Sequence, residues 1–458
     1  MLYRLLHWVA GVALDWFYGN VEVVGAERVP RDAPLLLASN HPNQLIDALL
    51  VARAVPRRVT FTGKAVLMEN PVVAVLARAV GFVPIRRAQD ARGETAPDPS
   101  RNAAAFDAII GALARRAAVL IFPEGISHDR PELAPVKTGV ARIALQARDE
   151  RGVRDVHIVP IGLTFERKWA ARTRVLVQIG EPIAMDAWRA SDDGAPDDAP
   201  AAVAALTAEV ERRLRDVTLN FPSREAADVV LPSAHLLAAL LEGEPRPLSN
   251  ADAPLPSVVA VARRAEAVRR AVEQGSDGAQ AARVARFVER LDRLRDTLER
   301  SGIAPSEVDV DPGIAAGAWF VLREAALVVL GGPVALWGRV NHWLPLTVAR
   351  LVARRTSRAP EDPAMHTIVV GVVTVPVFYA LQAALVWRLT GSGWWALAYL
   401  VTLPPSAGWW LRYGDRLARA RRRVRAYLRL RRDPALGAEI RREVRWMRAE
   451  ATAVGGGR

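Results

Sequence analysis

The chain has 458 residues, enough for two or three domains of about 100–200 residues each. It contains no cysteine, which excludes disulfides, thiolate metal ligands and a thiol nucleophile, and leaves the compartment open. The formal charge is +13, but fifteen arginines and five acidic residues fall between Arg412 and Arg458, so ten of the thirteen units lie there and a chain-wide nucleic-acid surface is excluded.

Met1 to Tyr18 reads as an amphipathic helix with an apolar stripe of Leu2, Leu5, Leu6, Val9, Ala13 and Phe17. No small-residue cleavage site follows it and Asp15 interrupts the run, so a secretory signal is not expected. The stripe suits a membrane surface, making 1–19 a membrane-associated helix, or the flank of a domain. Strand-like and helix-like segments then alternate through 20–185. Strands are predicted at 21–25, 34–40, 57–63, 81–85, 117–122, 156–163 and 174–180, and helices at 46–55, 72–80, 101–115 and 138–147. That alternation predicts an α/β sandwich. The stretch 87–102 reads as a polar loop.

Residues 186–310 read as mostly helical and polar, with an αα-hairpin of helices near 257–273 and 280–301 meeting at GSDG (275–278). Within 311–411, the part 315–337 is broken by Arg323–Glu324 and by Gly331–Gly332–Pro333, which suits an interfacial or re-entrant segment. The stretches 367–387 and 393–411 carry no charge and each has about the 20 residues a span needs. They predict a transmembrane helical hairpin with Trp387, Trp394, Trp395, Trp409 and Trp410 at its ends. Arg350, Arg354, Arg355 and Arg358 precede the pair, and Arg412, Arg416 and Arg419 follow it, which places both ends in the cytoplasm. Residues 412–458 then form a basic cytoplasmic tail attracted to anionic lipid, or to an acidic carrier protein.

The stretch with the most chemistry is Asn40-His41-Pro42-Asn43-Gln44-Leu45-Ile46-Asp47. It sets a histidine where a strand gives way to a helix, a common place for reacting groups in open α/β sheets. A carboxylate on one ring nitrogen would fix the tautomer and leave the other free to take a proton from a hydroxyl. On spacing alone, a histidine with a nearby aspartate is more often structural than catalytic.

This stretch resembles the first motif of the glycerolipid acyltransferases, the family that includes the bacterial 1-acyl-glycerol-3-phosphate acyltransferases. The usual motif has one residue fewer between histidine and aspartate. Three more segments resemble the family's later motifs in order: Gly81-Phe82-Val83-Pro84-Ile85-Arg86-Arg87, Phe122-Pro123-Glu124-Gly125-Ile126-Ser127 and Val159-Pro160-Ile161. Pro135-Val136-Lys137-Thr138-Gly139 resembles a stretch often found after the third. The C-terminal third is similar, more weakly, to the membrane part of a bacterial group related to fungal-type glycerol-3-phosphate acyltransferases.

The resemblance implies a glycerolipid acyltransferase-like αβ sandwich in a bacterial inner-membrane protein facing the cytoplasm. It implies transfer of a fatty acyl group from acyl-coenzyme A or acyl carrier protein to glycerol-3-phosphate or its 1-acyl form in phospholipid biosynthesis. His41 would be the base, oriented by Asp47. Arg86, with Arg87, would hold the phosphate. Glu124 would hold the glycerol, orient Arg86 or cap the next segment, and Gly125 would permit a tight turn. Lys64 and Lys137 read either as phosphate contacts or as surface lysines, and His128 as a possible substrate neighbour. Backbone N–H groups near 41–44 would stabilise an oxyanion. No metal or cofactor is implied beyond the acyl donor, and no nucleic acid. Another lysophospholipid or dihydroxyacetone phosphate remains open as acceptor, as does a non-enzymatic lipid-binding role.

Overall fold

The computed structural model describes residues 2–85, 100–191, 196, 198–241, 253–275, 278–356 and 363–455. Arg86, Arg87, Arg358 and most of the 87–102 loop lie outside the described residues. The chain forms two compact units, one of Met1–Asn220 with Ala353–Val369, the other of Phe221–Val352 with Val370–Arg458.

The first unit is built on an eight-stranded sheet. Its strands are β1 (Asn20–Val24), β2 (Leu35–Ser39), β3 (Val59–Lys64), β4 (Val83–Ile85), β5 (Ala118–Ile121), β6 (His157–Phe165), β7 (Arg174–Ile179) and β8 (Ile183–Ala184). The order is β1-β7-β6-β2-β5-β3-β4, with β8 also on β6. Pairing is parallel except where β7 and β8 meet β6. The seven expected strands are all present; the two-residue β8 is too short to leave a pattern.

A strand buried on both faces needs an unbroken apolar run, not an alternating one. β2, with the sequence LLLAS, has all five residues buried. Leu35 and Leu37 face a core shared with α1 (Leu2–Phe17) and α2 (Leu45–Ala54), to which Ala364 and Ile368 also return. Leu36 and Ala38 face the opposite core, with α4 (Ser100–Ala114), α5 (Gly139–Leu145) and α7 (Ala199–Val217). α1 divides its stripe: Leu14 and Phe17 are buried in the core, while Leu2, Leu5 and Trp8 are exposed.

The unit runs past the expected border at 185. α7 buries Ala202, Leu206, Val210 and Leu214 against the sheet, so it is a layer of the sandwich and not part of a separate helical region. Its C-terminal end lies so close to β6 that a Cβ on Gly162 would stand 1.9 Å from the Val217 carbonyl oxygen. Backbone cannot give way as a side chain can. Gly162→Ala is therefore expected to destabilise the unit by about 1–3 kcal/mol, read as a lower thermal midpoint in detergent.

The second unit is helical. α8 (Arg224–Leu241) packs with α9 (Leu255–Glu273), and α10 (Gly278–Ser301) packs with α14 (Pro434–Gly455). The expected αα-hairpin is thus replaced by two other pairings. The reason is the apolar stripe of α10, whose Leu291, Leu294 and Leu298 join Ile440, Val444 and Met447 in one core. Residues 412–455 are correspondingly no loose tail. They complete α13 (Gly393–Arg432) and form α14, with ion pairs Arg416–Glu324 (3.2 Å), Arg448–Asp309 (2.7 Å) and Arg290–Glu443 (2.8 Å).

α11 (Ile314–Thr356) is one continuous helix through the segment expected to be broken. The glycines there serve close packing: a Cβ on Gly338 would lie 2.2 Å from the Ser406 carbonyl oxygen, and Trp409 Nε1 donates to the Gly331 carbonyl at 3.0 Å. Among the described residues, two helices are long and apolar enough to cross a membrane, Ile314–Thr356 and Ala364–Thr390. The second contains the expected span 367–387. The first contains 315–337, which by sequence suits an interfacial or re-entrant place better than a clean span, and 393–411 is the apolar half of the long, elsewhere basic α13. α12 (Pro363–Thr390) ends at Gly391, whose φ of +66° and N–H···O bond to Trp387 make a tight turn into α13. Asn341 and His342 are helix-packing residues. His342 Nε2 meets the Tyr379 hydroxyl at 2.6 Å, Gln382 Nε2 donates to the Asn341 carbonyl at 3.0 Å, and the Tyr399 hydroxyl donates to Asn341 Oδ1.

Candidate active site

The site lies beyond the C-terminal end of β2, the middle strand of the sheet. Asn40 continues the β2–β6 pairing through its side chain. Its Oδ1 accepts from the Leu163 N–H at 2.7 Å and its Nδ2 donates to the Leu163 carbonyl at 3.0 Å. His41 follows immediately. Its ring stacks on Phe122, just past β5, with centroids 3.8 Å apart and planes 12° apart. Its side chain is 11 % exposed. The two strands flanking β2 therefore both grip the residues that leave it.

The chain then turns sharply into α2. Gln44 has φ 50° and ψ −127°, a left-handed conformation rare for a side-chain-bearing residue. Asp47, in the first turn of α2, comes back so that its Oδ2 meets His41 Nδ1 at 2.9 Å and accepts the Asn43 N–H at 2.6 Å. Asp47 is fully buried, and its Oδ1 has no hydrogen-bond partner among the described residues. Burial pushes its carboxyl above the usual carboxylate range. The hydrogen bond from His41 opposes this, followed by the charge of His41, the Asn43 N–H and the charge of Lys168. An ionised Asp47 accepts from Nδ1–H and leaves the lone pair on Nε2, the tautomer a general base requires.

Glu124 lies in the loop just past β5. Its side chain is wholly buried. Oε1 accepts the His41 N–H at 2.9 Å; Oε2 accepts the Ala134 N–H at 2.7 Å and pairs with His128 Nε2. Both oxygens thus hold protein groups. Glu124 clamps the His41 loop to the loop after β5, and His128 Nε2 braces the clamp. Gly125 has φ +72°, and a Cβ there would lie 2.6 Å from Lys137 Nζ. The Lys137 N–H donates to the Pro123 carbonyl at 2.9 Å, which lays this lysine along the Glu124–Gly125 turn. Lys64 is exposed at the C-terminal end of β3, on the sheet edge that carries His41.

The backbone of 41–44 does not offer the expected oxyanion donors. The N–H groups of His41 and Asn43 are bonded to Glu124 and Asp47, that of Gln44 donates to Ser127 Oγ at 3.3 Å, and Pro42 has none. The structure instead adds Tyr18, Asn43 and Lys168 to the site. The Tyr18 hydroxyl donates to the Lys168 carbonyl at 3.0 Å, and Asn43 Nδ2 donates to the Tyr18 hydroxyl at 3.1 Å. Asn43 stands inside the first motif, but no motif pointed to Tyr18 or Lys168, which reach the site from the end of α1 and from a loop more than a hundred residues away.

Residues 20–164 match the family model described as Acyltransferase. The chain is 31 % identical over 163 residues to a glycerol-3-phosphate O-acyltransferase of Saccharomyces cerevisiae, covering 36 % of this chain and 20 % of that protein. It is 28 % identical over 164 residues to a lyso-ornithine lipid O-acyltransferase of Brucella abortus, covering 36 % of this chain and 56 % of that protein. A superposition on the 1-acyl-sn-glycerophosphate acyltransferase of Thermotoga maritima gives a TM-score of 0.36 at 20 % identity, covering 47 % of this chain and 78 % of that one. The chain spans less than half the length of the yeast relatives it matches. The matched family region contains His41, Asp47, Glu124, Gly125 and Lys137, and stops short of Lys168.

Proposed function

We propose that the protein is a membrane-bound O-acyltransferase. It transfers a fatty acyl group from acyl-coenzyme A or acyl carrier protein to a hydroxyl of glycerol-3-phosphate or its 1-acyl form, in phospholipid synthesis. The observation that carries this reading is the His41–Asp47 pair, with Nδ1 held at 2.9 Å and the main chain of His41 pinned by Glu124. The agreement of residues 20–164 with the acyltransferase family supports it.

His41 Nε2 removes the proton of the acceptor hydroxyl as that oxygen attacks the thioester carbonyl. The tetrahedral intermediate collapses, the C–S bond breaks, and the thiolate leaves with the proton from His41. No acyl-enzyme forms; the chain has no cysteine. Arg86, Arg87, Lys64 and Lys137 supply the positive charge for the acceptor phosphate, with Arg86 its bidentate partner. Glu124 and Gly125 shape the loop along which Lys137 lies. The helices Ile314–Thr356 and Ala364–Thr390 hold the enzyme in a bilayer, with the catalytic unit and the arginines from 412 onward on the cytoplasmic side.

The deciding experiment incubates the full-length protein in detergent with labelled palmitoyl-coenzyme A or palmitoyl-carrier protein. The acceptor panel is glycerol-3-phosphate, lysophosphatidate, dihydroxyacetone phosphate and lyso-ornithine lipid. Labelled acyl-glycerol phosphate is expected; no acylated product from any acceptor would end the reading. The Brucella relative favours a second outcome, in which lyso-ornithine lipid alone is acylated. Arg86→Ala is expected to raise KM for a phosphate-bearing acceptor at least tenfold, with kcat nearly kept, as loss of about 1.4 kcal/mol of binding would do. If only acyl-donor kinetics change, Arg86 is not the phosphate partner.

A further inference from the structure

Lys168 sits three residues past β6 with only 7 % of its side chain exposed. An ammonium is costly to bury unless its donors are satisfied and its charge is paired. Its Nζ donates to the Pro42 carbonyl at 3.1 Å and pairs with Asp129 at 2.5 Å. Its own carbonyl accepts from the Tyr18 hydroxyl at 3.0 Å and from Asn43 Nδ2 at 3.3 Å. These contacts converge on Pro42 and Asn43, which lie between His41 and Asp47. Pro42 has no N–H, so its carbonyl is the backbone group by which that part of the loop can be held.

We propose that Lys168 is a positioning residue for the His41–Asp47 pair, anchoring the Pro42 carbonyl and setting a fixed positive charge beside the buried carboxylate. The proposal rests on the reading of His41 as the base. Lys168 would act on His41 in two ways. It holds the loop so that Nδ1 stays on Asp47. Its charge also favours the ionised form of Asp47, against the desolvation that favours the neutral one. The charged and titratable groups around the pair are Lys168 after β6, Asp129, Glu124 and His128 after β5, and Tyr18 at the end of α1.

The test measures kcat and KM against pH for the full-length wild type, Lys168→Met, Lys168→Arg and Asp129→Asn. Lys168→Met keeps the apolar stem and removes the charge. It is expected to lower kcat about 10²-fold with a much smaller change in KM, as a misplaced catalytic group does. With the cation gone, the pair gains its proton more readily, so the acid limb of the kcat profile moves to higher pH. Lys168→Arg keeps the charge and is expected to leave the limb in place with most of kcat restored. Asp129→Asn removes a negative charge and is expected to move the limb to lower pH. A wild-type profile in Lys168→Met, or equal losses in Met and Arg variants without a shifted limb, would overturn the proposal.

The same four proteins, titrated through the His41 ring signals by nuclear magnetic resonance, should show shifts of the same signs. That readout separates the two ideas. A wild type inert toward every acceptor ends the acyltransferase reading, while the titration still decides whether Lys168 controls the pair. If Lys168→Met does not fold, Asp129→Asn decides: an unshifted titration there overturns the proposal.

Discussion

His41→Ala is expected to reduce kcat by about 10³-fold, within the range that a positioned general base contributes. The ring does little for the core. Its Nδ1 bonds Asp47, it stacks on Phe122, and its remaining exposure faces the sheet edge where acceptor and donor would meet. The main-chain bond to Glu124 survives the substitution. The measurement is acyl transfer by purified, folded variant, with folding checked by thermal unfolding. KM for both substrates should change much less than kcat, because the interaction lost is made chiefly in the transition state. Activity within threefold of wild type would remove His41 from the mechanism.

Asp47→Asn is expected to lower kcat by a similar factor, about 10³-fold, without lowering stability at neutral pH. Asparagine fills the same space, and its oxygen can accept the Asn43 N–H. The same oxygen would accept Nδ1–H, since Asp47 Oδ2 receives both bonds, so what is lost is the negative charge that stabilises the imidazolium formed when Nε2 takes the proton. The stability prediction has the opposite sign from that of an ordinary salt bridge. Burial raises the carboxyl of Asp47 in the folded protein above its unfolded value. The folded state then holds that proton more tightly than the unfolded chain does. Stability contributed by the neutral form is present below the usual carboxylate range. It is lost as pH rises from the unfolded value through the raised folded one, and stays lost above it. The wild type thus bears the cost of a buried, half-satisfied carboxylate at neutral pH, and the asparagine variant does not. Thermal midpoints at pH 5 to 8 should show the variant equal to or above the wild type. A destabilised Asp47→Asn would mean that the carboxylate mainly holds the fold together.

The sandwich was legible because its strands are short apolar runs such as LLLAS and AVLI, each followed by a helical stretch. The pair of His41 and Asp47 was legible through the motif around it. Their bond distance was not, since it depends on the left-handed backbone of Gln44, which no propensity assigns to glutamine. Glu124 shows the limit most clearly. Its place beside Gly125 marked it as part of the site, but only the fold reveals that both its oxygens meet protein groups. The second unit was read less well because polar helices there pair by their narrow leucine stripes. Those of α10 match α14, far along the chain, better than the neighbour across the 275–278 turn.

The strand order also determines when in the chain's synthesis a catalytic centre can exist. β2 emerges early, yet both of its neighbours, β5 and β6, come from the chain about eighty and more than a hundred residues later. A nascent chain that ends before residue 120 already carries His41 and Asp47. It lacks Phe122, Glu124, Ser127, His128, Leu163 and Lys168, distant groups that hold the histidine loop in place. Closing such long loops is entropically unfavourable until the central strand has both partners. The centre should therefore form in one late, cooperative step, and stalled or truncated chains should carry the motif without the geometry that makes it reactive.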